Sequence, residues 1–506
     1  MPMMQLTGQT LSLSEMAEVA LGGAAVEVAS LIHGRVQFSR NVIEKIITEG
    51  GTVYGVSTGF GKLSDIHIAP GELRQLQLNL VRSHACGIGQ PLSEAEVRAM
   101  MLLRANVLAL GFSGIRLEVI ALLAEMLNRR VHPVIPEKGS VGASGDLAPL
   151  AHLALTLVGE GEAMYQGRKM SGAAALREAG LEPITLEAKE GLALLNGTQA
   201  MHAVGGLALL RAKRLARVAD VAGAMTLEAL KGTPAAFDPR IQCARPHAGQ
   251  IAAAEHLLSL LRDSEIRQSH LENDPRVQDA YSLRCMPQVH GAVRGVFAHC
   301  EEVLQTESGS ATDNPLVFAD AGDVISGGNF HGAPLAFAFD YAAIALTDLM
   351  SISERRIERL TNPDTSEGLP AFLARQPGKE SGFMIAHVAA AALLSEAKVL
   401  AHPASVDNVP TSAGKEDHVS MGMTSGLKLR TMVDNAEHVI AIEFLTAAEA
   451  LEYRRPLRAG VGVERAFSFL RSISPPLTED RALAGDIARV AMAIREGKFD
   501  SESEKL

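Results

Sequence analysis

The feature that most constrains this chain is its longest proline-free helical run. Residues 198–231 read TQAMHAVGGLALLRAKRLARVADVAGAMTLEALK and stop at Gly232-Thr233-Pro234. At ~1.5 Å per residue such a helix is on the order of 50 Å long. Segment 334–360 opens at Pro334, a favoured first-turn residue, and ends before Asn362-Pro363. Segments 381–401 and 425–453 have the same character. Helices this long and apolar exceed what one globular core demands. The pattern predicts a mainly α chain built on a helix bundle, with spare faces buried by other copies of the chain.

The first 200 residues read differently. Short periodic segments alternate with punctuators at Gly50-Gly51, Gly59 to Gly61, Pro70-Gly71, Pro133 and Pro136. One helix is clear: Ser93 and Glu96 form a capping box, and Val97, Met100, Met101, Leu103, Val107 and Leu108 follow at helical spacing until Gly111. The reading is a mixed N-terminal region over 1–200 and a long-helix region over 201–506, with a charged, frayed tail from about 495. No internal repeat or polar linker divides the chain into independent domains.

Composition removes several function classes. The length of 506 residues suits about three domains, or one large intertwined one, and 47% hydrophobic with 21% charged residues is ordinary for a globular protein. Trp is absent and aromatics are 4%, so stacking platforms for single strands are scarce. The net charge of -11 disfavours nucleic acid as principal partner. Cys86, Cys243, Cys285 and Cys300 form no CxxC pair and no zinc-site spacing, which reads as reduced thiols, no metal and a cytoplasmic protein. No basic n-region precedes an apolar run at the N-terminus, and Asp340 and Asp348 interrupt the most apolar stretch, so no membrane span is expected.

Two local motifs carry competing chemistry. Gly55-Val56-Ser57-Thr58-Gly59 fits the GxSxG pattern of a hydrolase elbow, but Phe60-Gly61-Lys62 after it is no helix start. Gly139 to Asp146, GSVGASGD, lacks the Gly-Lys-[Ser/Thr] ending of a phosphate-cradling loop. Its bland reading is a turn before a helix capped by Asp146. Its chemical reading is ring closure: the amide nitrogen of Gly145 meets the carbonyl carbon of Ala143, water is lost, and Ser144 becomes dehydroalanine. Glycine removes bulk at the attacking nitrogen, Ala143 is small, and Ser144 carries the hydroxyl that leaves. The product is an electrophile that no unmodified side chain offers.

Polar clusters elsewhere decide nothing singly, because structural networks imitate sites. Together they do. The segments are YGVSTGFG at 54–61, RSHACGIG at 82–89, GSVGASGDLAPLAH at 139–152, EGLALLNGTQ at 190–199, VQDAYSLRC at 277–285, SGGNFHG at 326–332 and KEDHVSMG at 415–422. In order and with compatible spacing from about residue 50 to 455, they resemble the histidine ammonia-lyase family, within the aromatic amino acid lyases that carry a methylidene-imidazolone prosthetic group.

The resemblance implies a fumarase/aspartase-like long-helix fold, with the prosthetic-group loop in the mixed N-terminal region. It implies that Ala143, Ser144 and Gly145 form 4-methylidene-imidazol-5-one autocatalytically, with no external cofactor. The implied reaction takes L-histidine to trans-urocanate and ammonia, the first step of histidine degradation. Tyr54 matches the base and Arg284 the residue that grips the substrate carboxylate, while Tyr281, also catalytic, Gln278 and Asn196 line the same pocket. Phe330 packs against the substrate ring, and His84 and Glu416 face its side chain. It also implies a homotetramer with dihedral symmetry, in which Ser144 of one chain is completed by Tyr281 and Arg284 of a second and Phe330 of a third.

Substrate choice within the family follows from charge. The N–H groups of imidazole want a carboxylate acceptor, which Glu416 supplies, whereas a phenylalanine pocket would leave that charge buried without a partner. The alternative is a tyrosine or phenylalanine lyase, or an aminomutase. Outside catalysis, the rival is a non-catalytic helical assembly with an uncyclised loop. Three positions depart from the expected pattern. Lys415 stands beside Glu416, where a pairing of the two would partly neutralise the acceptor, and Met286 and His290 follow VQDAYSLRC.

Overall fold

The chain was analysed as a computed structural model that describes residues 3–272 and 274–499. The fold is mainly α. The longest helices are Gln199–Ala229, Met286–Ser308, Ala333–Thr361 and Gly422–Glu452; all but Met286–Ser308 lie close to a long helical run read from the sequence. Strands are confined to small ribbons, the largest being a three-stranded antiparallel sheet of His132–Pro133, Glu162–Tyr165 and Arg168–Ser171.

Two compact units are interleaved along the sequence. The first comprises the chain up to Leu207, Glu301–Asp340 and Pro403–Leu427; the second comprises Ala208–Cys300, Tyr341–His402 and the chain from Lys428 onward.

In the first unit the helix Glu94–Ala109 starts at the predicted capping box, with Ser93 and Glu96 satisfying each other's backbone N–H. Every residue from Glu96 to Ala109 is buried, so this helix is a core rod rather than an amphipathic surface helix. The long helices approach one another closely in this unit. A Cβ on Gly205 would lie 2.2 Å from the ring of the fully buried Phe339, so only glycine fits there.

The helix Ala333–Thr361 is long and apolar enough, by length and composition, to cross a membrane, yet 61% of its most apolar window is buried inside the fold. Asp340, buried within that helix, has its carboxylate satisfied by Ser405 N at 2.8 Å and Ser425 Oγ at 3.0 Å.

The second unit is stitched by charges at helix faces. Arg211 donates to Glu437 at 3.0 and 2.8 Å, and Thr226 donates to Glu443 at 2.9 Å. After the helix Ala484–Arg495, Phe499 is buried and stacks on Phe444 with ring centroids 4.3 Å apart. The expected frayed tail is therefore docked as far as that residue, and its remainder from 500 lies outside the described residues.

Candidate active site

The loop before the helix Leu147–Leu157 is held from below by Asp146, which is fully buried. Its carboxylate does not cap that helix, contrary to the expectation from sequence. One oxygen accepts from Ser140 Oγ at 2.8 Å and the other from Met201 N at 2.8 Å. Met201 lies in the first turn of Gln199–Ala229, so Asp146 satisfies an N-terminal amide of a different helix. Burial pushes its carboxyl up to about 6 despite these bonds. The Asp146 amide donates to Gly197 O at 2.7 Å, fixing the loop to the Asn196-Gly197 turn.

Above this anchor the backbone is tightly bent. Ser144 has φ 51° and Gly145 φ 83°, and Gly145 N donates to Gly142 O at 3.2 Å. A Cβ on Gly145 would stand 2.2 Å from Gly197 O, so no side chain fits there. A bent, enclosed turn with glycine at its third position fits a ring built from residues 143–145.

Ser144 Oγ donates to Glu416 Oε1 at 3.0 Å. The other carboxylate oxygen accepts from Thr411 Oγ1 at 2.9 Å and Ser412 Oγ at 2.5 Å. The feared neutralisation is not seen: among the described residues Lys415 forms no ion pair with Glu416, whose oxygens are taken by three hydroxyls.

His84 ends the helix Leu73–His84, and its Nδ1 lies 2.8 Å from Leu80 O. A carbonyl only accepts, so Nδ1 carries the proton. Burial lowers the imidazole pKa below its ordinary value, outweighing that bond and the Glu416 charge. The neutral ring then keeps Nε2 as an acceptor. Tyr54 moves the other way: burial raises its phenol, Glu416 adds to this, and a hydrogen bond from the Gly61 backbone opposes it.

Tyr54, His84, Ser144, Asn196 and Glu416 line one cavity of about 440 Å³, whose apolar walls include Leu80, Leu192 and Leu195. A neighbouring cavity of about 390 Å³ shares Tyr54, Ser144 and Glu416 and adds Phe330, Lys415 and Asp65. Phe330, expected from a third chain, thus lines this space from the same chain. Gln278, Tyr281 and Arg284 line neither cavity and belong to the second unit. Tyr281 exposes 72% of its surface, and the Arg284 guanidinium lies over its ring at 4.4 Å. Among the described residues Arg284 has no ion-pair partner.

Sequence reasoning missed the charges beneath the loop. Arg104, fully buried, donates to Asn196 O and, at 2.7 Å, to Gln199 Oε1, while burial lowers its pKa to about 10. Lys189 and Asp313 pair at 3.0 Å with no exposed surface. A charge inside the apolar run RAMMLLRANVLAL (98–110) was the available signal for Arg104. The hydrolase reading of Ser57 fails, since its Oγ donates to Gly51 O at 2.7 Å and accepts from Val53 N at 3.0 Å inside the turn.

The family model for aromatic amino acid lyase matches residues 11–472. The chain belongs to the aromatic amino acid lyase family. Among its relatives within that family, the histidine ammonia-lyase of Koribacter versatilis (strain Ellin345) is 57% identical over 99% of both chains. That of Myxococcus xanthus (strain DK1622) is 55% identical over 98% of both. The crystal structure of histidine ammonia-lyase from Trypanosoma cruzi superposes with TM-score 0.91 at 46% identity, covering 98% of this lyase and 94% of that chain. The tyrosine aminomutase from Streptomyces globisporus gives TM-score 0.93 at 38% identity, covering 98% of each.

Proposed function

We propose that this lyase converts L-histidine to trans-urocanate and ammonia, using a methylidene-imidazolone made from Ala143, Ser144 and Gly145. The single observation that carries the substrate is the acceptor pair on one cavity: the Glu416 carboxylate and the neutral His84 ring with its Nε2 lone pair. An imidazolium ring, with N–H on both nitrogens, donates to Glu416 Oε1 and His84 Nε2 together, whereas a phenyl ring gives neither atom a donor. The names of the high-identity relatives support the same reading.

Formation of the group joins Gly145 N to Ala143 C and expels the Ala143 carbonyl oxygen as water. The Ser144 hydroxyl leaves as a second water with the Ser144 α-hydrogen. The tight turn at 142–145 favours the first step by holding the reacting atoms near each other. Departure of that hydroxyl also releases Glu416 Oε1 from its donor at 3.0 Å, freeing it for the substrate ring. When present, the group supplies an electrophile that takes up the substrate amine and makes it a better leaving group.

The chain's own residues do the rest. Glu416 and His84 orient the imidazole so that its side-chain methylene turns toward Tyr54. Tyr54 Oη then removes the β-proton, for which it must be phenolate; at pH 7 an ordinary phenol is only ~0.1% ionised, and burial here lowers that fraction further. Asn196, buried beside Ser144, holds the amine end.

Arg284 grips the substrate carboxylate in a bidentate fork, with Tyr281 and Gln278 beside it. Their absence from both cavities and the exposure of Tyr281 favour delivery from another copy in a homotetramer. Four free cysteines suit a reducing, cytoplasmic setting. The test is incubation of chelator-treated protein with L-histidine alone. Growth of the ultraviolet band of urocanate with matching ammonia is expected, and no product would overturn the proposal.

A further inference from the structure

A second buried polar assembly lies within the second unit. Asp220, His290, Arg356 and Glu443 expose no surface at all. His290 Nδ1 is 2.7 Å from Asp220 Oδ1, and Arg356 Nη1 is 3.3 Å from His290 Nε2. The roles are forced by chemistry. A carboxylate only accepts and a guanidinium only donates, so the ring donates at Nδ1, accepts at Nε2 and is neutral.

Each end of this relay is anchored again. Asp220 also takes His256 Nδ1 at 2.8 Å and Arg294, and Arg356 donates to Glu443 at 2.8 Å. Thr226 and Ser353 fill the remaining sites of Glu443 at 2.9 and 2.5 Å. Asp220 with Arg294, and Glu443 with Arg356, are balanced pairs, and the neutral ring joins them.

The location gives the assembly its consequence. His290 sits in the opening turns of Met286–Ser308, which follows directly on the short helix Tyr281–Arg284. Val289 N donates to Cys285 O and Arg284 N to Ala280 O, so hydrogen bonding is nearly continuous from Ala280 into the long helix. His290 follows Arg284 by six positions, a rise of roughly 9 Å at helical spacing. Met286 is wedged in the same place, since a Cβ on Gly223 would meet its sulfur at 2.4 Å and the Arg356 guanidinium carbon at 3.4 Å. Among the described residues Arg284 is held by stacking on Tyr281 alone, and its Nε is buried without a hydrogen-bond partner. Its placement therefore depends on the backbone it stands on.

We propose that His290 is a positioning residue for Arg284: the Asp220–His290–Arg356–Glu443 relay pins the start of the long helix, and so sets where the guanidinium meets the substrate carboxylate. The inference rests on the reading of Arg284 as the carboxylate clamp. It makes two positions that departed from the expected sequence, Met286 and His290, parts of one support.

The test is a double-mutant cycle in the full-length enzyme with L-histidine. His290→Phe keeps a ring but neither donates nor accepts, and His290→Gln keeps one donor and one acceptor. His290→Phe should raise KM about tenfold or more, with kcat changed less than about threefold, and His290→Gln should recover most of the loss. Arg284→Ala should raise KM, and adding His290→Phe to it should raise KM no further. Additive losses, or a normal KM in His290→Phe while Arg284→Ala is impaired, would overturn the positioning role. A normal KM in Arg284→Ala would overturn the clamp reading itself, and the positioning role with it. If His290→Phe does not fold, Asp220→Asn weakens the acceptor for Nδ1–H and carries the same cycle with the same expected non-additivity.

Discussion

Ser144 donates its hydroxyl to Glu416 at 3.0 Å, across 272 positions of sequence. The bond ties the reactive loop to the carboxylate proposed to read the substrate ring. Before the hydroxyl is lost, it holds the loop proposed to form the electrophile against the carboxylate proposed to bind the imidazole.

Ser144→Ala removes the hydroxyl that must leave, so the electrophile cannot form. Activity should fall by several orders of magnitude while the circular dichroism spectrum and melting temperature stay near wild type. The tryptic peptide covering 143–145 should lack two waters in wild type and at most one in the variant. Near-normal turnover in Ser144→Ala would remove the prosthetic group from the account.

Glu416→Gln keeps shape but takes away the charged acceptor. A loss of about 1–3 kcal/mol in transition-state binding is expected, read as a fall in kcat/KM for L-histidine. Equal efficiency in the two proteins would show that Glu416 does not read the ring.

The pH profile follows from two shifts of opposite direction. Tyr54 is raised by burial and by Glu416, so the phenolate fraction, and with it kcat/KM, should climb from neutral into alkaline pH. His84 is lowered by burial, so its Nε2 acceptor survives below the pH at which an ordinary imidazole protonates and is lost only further into acid. Tyr54→Phe should be nearly inactive at every pH. A wild-type profile that falls through the alkaline limb from pH 8 would contradict the assignment of Tyr54.

Asp146 gives a stability signature. Its carboxyl is raised from 3.8 to about 6 by burial. The folded state therefore binds this proton more tightly than the unfolded chain. The stability it contributes is complete below the unfolded value and is lost as pH rises through about 6, amounting to roughly 3 kcal/mol. Asp146→Asn, which can still accept from Met201 N, should show a smaller fall in melting temperature between about pH 4 and 7. An unchanged slope would place the raised group elsewhere.

These sites differ in how far the sequence discloses them. The long helices were legible because an apolar pattern of helical period without proline has few other solutions, and Ala333–Thr361 lies within a residue of the run read as 334–360. Tyr54, His84, Asn196 and Glu416 were legible as segments of motif, and they meet Ser144 around one cavity. Asp146 was read as a local cap because its true partner, Met201 N, lies 55 positions away. Lys189 with Asp313, and His290 with Asp220, were illegible for the same reason: a contact between residues far apart in sequence leaves no period in either segment. Lys415 beside Glu416 invited a pairing, but three nearby hydroxyls compete for the same oxygens.

The assembly proposal is tested by mixing damaged subunits. Co-expressed Ser144→Ala and Arg284→Ala chains should recover partial activity, because some sites receive one good copy of each residue. Light scattering that shows an active monomer, or no recovery in well-mixed hybrids, would overturn the shared site.

The central claim is that the cavity reads imidazole, and the most direct test is a side-by-side comparison of kcat/KM for L-histidine, L-tyrosine and L-phenylalanine. The acceptor pair of His84 and Glu416 predicts urocanate as the dominant product, with both aromatic substrates slower by a hundredfold or more, about 3 kcal/mol. Coumarate or cinnamate formed faster than urocanate would contradict it.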